Sequence, residues 1–159
     1  MVFKSQKELE HFIMKQSRLA LMKAQDKVYS IIKQWIWKFY KDYTPEFYDR
    51  TAQLFGSLME SRIVQDGKGY KAEVYFNLDK LRYSKPDWQD GDSPTGEQVF
   101  DAARQGLHGA IGDAGGGYQF HYEAGKTGIS IWDDPIRELD AKAINILVDM
   151  LRAEGIPIK

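Results

Sequence analysis

Five side chains able to ligate a metal or move a proton, His108, Asp113, His121, Glu123 and Asp133, share one segment of this chain. They could be assembled into a metal site or an acid–base group. However, no His-x-x-x-His or Glu-x-x-His pair sets two ligands on one helical face, and His11 lies far away near the N-terminus. Eight of the 14 glycines fall between Gly106 and Gly128, and a frame so rich in glycine holds ligand geometry poorly. His108 and His121 are therefore better read as structural or interface residues, with a small hydrolase or metal enzyme as the competing class.

Other chemistries fail on spacing. Gly125-Lys126-Thr127 ends like a phosphate-binding loop, but the glycine required five residues earlier is Phe120, and Gly128 to Trp132 reads as a strand instead of the helix that would point amides at a phosphate. The glycines at 106, 109, 112 and 115 never make the dinucleotide fingerprint. Ser57 and Ser61 sit in no nucleophile-elbow context. Cysteine is absent, which removes disulfides, thiol nucleophiles and iron–sulfur ligation. The residues thus predict no catalytic group, no metal and no cofactor.

The elements that would carry any site follow from hydrophobic spacing. From about Lys4 to Tyr43 there is no glycine or proline, and Leu9, Phe12, Ile13, Leu19, Met22, Val28, Ile31, Ile32, Trp35 and Phe39 recur at helical intervals. Such a helix, about 60 Å long at ~1.5 Å per residue, exceeds what a globule of this size covers, so it bends or packs on another subunit. Thr44-Pro45 ends it and opens a second helix through Tyr48, Thr51, Leu54, Phe55, Leu58 and Met59. Arg62 to Val64, the turn Asp66 to Gly69 and a strand from Lys71 to Leu78 read as a hairpin. A polar loop between Tyr83 and Gly96 leads through a helix entry at Ser93-Pro94-Thr95-Gly96-Glu97 to a short helix from Val99 to Gln105 that Gly106 stops. After the glycine-rich stretch, Gly128 to Trp132 alternates like a strand, and Asp133-Asp134-Pro135 supplies an N-cap and first-turn proline. The last helix carries Ile136, Leu139, Ala143, Ile144, Leu147, Val148 and Leu151 and ends at Gly155. The expectation is a single α+β domain over 1–159: a long basic helix at 1–43 and an acidic α+β body at 44–159. That body holds a small antiparallel sheet, a mobile glycine-rich loop at about 106–128 and a C-terminal helix packed on the sheet.

Charge is the most informative physical signal. The total is −1 from 22 basic and 23 acidic residues, which excludes a uniformly basic nucleic-acid binder. Residues 1–43 nevertheless hold nine basic and four acidic side chains, net +5, and the remainder 13 and 19, net −6. The helix of one copy could therefore engage the body of the next, a heterologous contact of the kind that closes into rings. A solvated helix face with intramolecular ion pairs is the alternative, and so is a nucleic-acid-binding module using the basic helix. Trp35 and Phe39 fall on the apolar stripe, whereas Trp37 and Tyr40 lie partly off it and could anchor another chain. The candidate interface comprises Lys23, Lys27, Lys33, Trp37, Tyr40 and Lys41 on the helix, with Arg50, His108 and His121 in the body. No apolar run approaches the ~18 residues of a membrane span, and no signal-peptide core is present, so a soluble intracellular protein is expected.

The segment Tyr43-Thr44-Pro45-Glu46-Phe47-Tyr48-Asp49-Arg50-Thr51-Ala52-Gln53-Leu54, followed by Ser57-Leu58 and later by Gly106-Leu107-His108-Gly109, resembles the gene-product-ten-like tail-completion and minor tail proteins of long-tailed bacteriophages and prophages. The shared pattern is Tyr-x-Pro-x-x-Tyr-x-Arg-Thr-x-x-Leu after a long helix. Glu123 to Thr127 and Asp134-Pro135-Ile136 match that family's C-terminal region only loosely. The resemblance implies an α+β virion protein without catalysis. It would form a homo-oligomeric ring, often a hexamer, at the head-proximal end of the tail. Its partners would be the tail-tube protein and the connector or neck proteins, with DNA only passing through the ring. The implied location is the virion, reached from the host cytoplasm.

Overall fold

The computed structural model describes residues 2–42, 52–82, 93–107 and 128–158. The fold is α+β. Helix α1 (Gln6–Lys41) is followed by a five-residue α2 (Gln53–Ser57), strands β1 (Leu58–Glu60), β2 (Val64–Asp66), β3 (Gly69–Lys71) and β4 (Val74–Phe76), then α3 (Gly96–Arg104) and α4 (Asp133–Ala153). The chain forms two compact units, one of Met1–Ser30, Glu60–Tyr75 and Glu138–Lys159, the other of Ile31–Met59 and Phe76–Arg137. Both long helices contribute to both units.

Helix α1 runs uninterrupted for 36 residues, as the absence of glycine and proline dictates. Its start is set by Ser5, whose Oγ accepts from the Glu8 amide at 3.2 Å, while the Glu8 carboxylate accepts from the Lys4 amide at 2.8 Å. Lys38 and Lys41 in the last turn complement the negative helix end.

In the second unit, Ile31, Ile32, Ile36, Phe39, Leu54, Leu58, Leu81, Val99, Ala102, Ala103 and Ile131 are buried. Phe76, Phe100 and Trp132 form a ring cluster, with centroids 5.0, 5.9 and 6.2 Å apart and edge-to-face or tilted planes. Helix α3 starts at Gly96, inside the helix entry expected at Ser93 to Glu97, where Thr95 and Gln98 complete a reciprocal capping box. It ends in a Schellman motif: Gly106 takes φ +76°, its amide donates to the Ala103 carbonyl at 3.1 Å, and the Leu107 amide donates to that of Ala102 at 2.9 Å.

Four expectations need correction. Leu58 and Met59 are extended rather than helical, since α2 stops where the buried Ser57 Oγ turns back onto the Leu54 carbonyl at 2.9 Å and Leu58 takes ψ 125°. The strand expected from Lys71 to Leu78 is two strands. β3 pairs with β2 in the hairpin register Val64↔Lys71, with Gly67 at φ +57° in the turn, and β4 pairs with β1 in a separate two-stranded sheet. Between the Ser61–Glu73 bond (2.8 Å) and the Val64–Lys71 pair, one strand advances three residues and the other two. That extra residue is a bulge-like offset, which reverses the side-chain alternation and ends the continuous ladder.

Gly128 to Trp132 is not a strand either. The Ser130 hydroxyl accepts from the Trp132 and Asp133 amides at 3.2 and 2.8 Å, and the Asp134 carboxylate accepts from the Ser130 amide at 2.8 Å. The segment is therefore wrapped around the start of α4, and Ser130, not Asp133, supplies the cap. Finally, the apolar stripe of α4 is largely uncovered: only Leu139 and Pro135 are buried, while Ile144 is 79% and Leu147 38% exposed. Helix α4 itself ends as expected, in a Schellman motif with Gly155 at φ +80° and the Ile156 amide on the Leu151 carbonyl at 3.0 Å.

Candidate functional site

The residues singled out for an interface follow α1 along its length. In the first unit, Lys23 is engaged within the chain, its ammonium bridged to the Glu154 carboxylate just past the end of α4. Lys27 is exposed. In the second unit, Lys33 is exposed and Trp37 is 52% exposed, with the Lys41 ammonium 4.7 Å from the centre of its ring. Tyr40 is half-buried and stacks on Phe55 at 5.3 Å. Trp35 is also half-buried, with the Lys38 ammonium 3.7 Å over its ring, while Phe39 is buried. The helix end thus presents an aromatic surface whose cations are held over the rings, a cation–π arrangement worth about 0.5–1 kcal/mol at exposed sites. Arg50, His108 and His121 lie outside the described residues, as do the glycine-rich loop from residue 108 onward and Gly125-Lys126-Thr127.

Of the groups considered for acid–base or metal chemistry, Asp133 pairs with Arg104 at 3.3 Å. Among the described residues no three His, Asp or Glu side chains converge on a possible metal position. Ser57 is fully buried and hydrogen-bonded to the main chain. The Ser61 hydroxyl accepts from the Glu73 amide at 2.8 Å and bonds to the Arg62 carbonyl, so both serines are structural. The Glu60 carboxyl is held above its ordinary value of 4.5, first by burial and then by the negative charge of Asp26.

The first unit contains the feature that periodicity alone concealed. Among the described residues its buried apolar side chains are only Ala20, Ala24 and Leu139, although Leu9, Ile13, Met22, Ile144 and Leu147 lie on its helices and stay more than a third exposed. The N-terminal end of α1 and the segment after α4 enclose an open groove of about 760 Å³ floored by Phe3, Leu9, Phe12, Ile13, Ile156 and Ile158. The groove has no charged group aimed at a bound molecule: Glu154 is bridged to Lys23 and Arg152 is hydrogen-bonded to the Ile158 carbonyl at 3.4 Å. Buried alanines bring little apolar area out of water, so this unit gains far less from its own core than the second unit does.

Comparison with protein-family models, curated proteins and solved structures finds no match for the chain. Among the described residues no helix is long and apolar enough to cross a membrane.

Proposed function

We propose that this chain is a structural virion protein that assembles into a ring at the head-tail junction, as a tail-completion component at the head-proximal end of a phage tail. The observation that carries this reading is the first unit's uncovered apolar surface: two long helices that leave Leu9, Ile13, Met22, Ile144 and Leu147 exposed, with two alanines and one leucine as the buried apolar side chains among the described residues. A subunit of that kind completes its packing against neighbours. The opposed charges of residues 1–43 and of the remainder, +5 and −6, give each neighbour a complementary surface. The Tyr43 to Leu54 motif supplies the family, and with it the tail-tube and connector proteins as further partners. A structural role of this sort asks for no catalytic group, metal or cofactor.

Size-exclusion chromatography with light scattering tests the reading. The mass rises above 18.3 kDa with concentration, and ~0.5 M salt, which shortens the screening length to a few ångströms, lowers it again. A strict monomer at every concentration that binds neither tail-tube nor connector protein overturns it. So does affinity for duplex DNA that falls steeply with salt in the absence of self-association.

A further inference from the structure

On α4, Ile144, Leu147, Val148 and Leu151 follow one another at intervals of three, one and three residues and so form a single stripe along the helix. Ile144 is 79% and Leu147 38% exposed, and Val148 and Leu151 are only half-buried. Asp140 stands one turn before Ile144 on the same side. On α1, Lys15, Arg18, Leu19 and Met22 repeat that spacing, with Met22 41% exposed, Leu19 half-buried and both cations exposed. Among the described residues Lys15, Arg18 and Asp140 make no ion pair. All of these residues belong to the first unit.

We propose that the α4 stripe of one copy docks on the Lys15–Met22 face of α1 of a second copy, Ile144 and Leu147 packing on Leu19 and Met22 while Asp140 meets Lys15 and Arg18. The proposal rests on the ring reading above and names its contact. Charge selects the occupant. Helix α4 carries five acidic and three basic residues, net −2, so a second α4 would be repelled, whereas α1 from Gln6 to Ser30 carries five basic residues and three acidic ones, net +2. The contact joins two different surfaces, which makes it heterologous and leaves each copy with one free donor face and one free acceptor face. Such a contact grows until it closes on itself.

The test uses the full chain at a concentration where the wild type assembles. Ile144→Asp and Met22→Asp change exposed positions, and each variant is first checked by circular dichroism for wild-type helix content. Each alone elutes as an 18.3 kDa monomer. Their equimolar mixture yields a two-chain species that does not grow, because only the α4 of the Met22→Asp copy and the α1 of the Ile144→Asp copy remain competent. Asp140→Lys weakens assembly, and adding Lys15→Asp and Arg18→Asp to the same chain restores it. If both single variants assemble as the wild type does, the docking is overturned and the ring reading stands. If only Ile144→Asp dissociates, or the mixture gives no two-chain species, this pairing is likewise overturned. A wild type that stays monomeric at every concentration overturns the docking, and if it also binds neither tail-tube nor connector protein the ring reading falls with it.

Discussion

The side-chain amide of Gln25 donates to the main-chain carbonyl of Ser61 at 3.0 Å, and the same nitrogen donates to the Glu73 carbonyl at 3.0 Å. Gln25 is 7% exposed, one of the few buried polar side chains, and it holds the two chain segments at the point where the hairpin register shifts. Replacing it by leucine keeps the volume but leaves the Ser61 carbonyl without its partner. Gln25→Leu therefore lowers unfolding stability by about 0.5–1.5 kcal/mol in a urea titration, the net worth of a hydrogen bond to a half-buried acceptor.

Two glycines in helical geometry have opposite expectations. A Cβ on Gly96, the first residue of α3, would run into the Leu78 carbonyl and sit within 3.3 Å of the Leu81 carbonyl oxygen, both of them main chain that cannot step aside. Gly96→Ala therefore destabilises by ~1–3 kcal/mol despite alanine's higher helix propensity. Gly56 in α2 has no neighbour within 4 Å of its would-be Cβ, and Gly56→Ala raises stability by ~0.4–1 kcal/mol through the unfolded chain. Thermal melting of the two variants checks both signs.

The long helix, the hairpin, α3 and α4 were legible because glycine, proline and capping residues punctuate them: Thr95 and Gly106 bracket α3, and Gly155 closes α4. Spacing could not reveal which apolar stripe is covered. Ile144 and Ile32 occupy equally good helical positions, yet one is 79% exposed and the other 1%. Ala20, Ala24 and Gln25 were missed because small and polar residues give no hydrophobic signal, even though close approach to α1 depends on them. The break between β3 and β4 depends on a register offset of one residue, which is a property of the pairing rather than of either strand's sequence. Lys23 was readable as a surface cation but not as the partner of Glu154, 131 residues away.

The Thr95–Gln98 capping box gives a prediction of intermediate size. Thr95 Oγ1 accepts from the Gln98 amide at 3.3 Å, and the Gln98 side-chain oxygen accepts from the Thr95 amide at 2.8 Å. Thr95→Ala costs about 1 kcal/mol, the usual loss for an N-cap. Gln98→Ala removes the reciprocal bond only. Because the two bonds hold one turn, the double variant loses less than the sum of the singles, which a double-mutant cycle of urea midpoints measures.

Glu60 supplies the pH dependence. Its folded-state value is raised above the ordinary 4.5, by burial first and by Asp26 second, so the fold favours the protonated form. The sign follows from linkage: the folded state binds the proton more tightly than the unfolded state, so the contribution is fully present below 4.5 and is lost as pH rises through the folded value. Near neutral pH the ionised Glu60 works against the fold. Glu60→Gln therefore raises Tm near neutral pH and has no effect well below 4.5, where the native carboxyl is already protonated. The side chain is only partly withdrawn from water, so solvent screening limits the gain in Tm. Asp26→Asn removes only the second cause and raises Tm by less, and a Tm-against-pH series on the three proteins separates the two contributions.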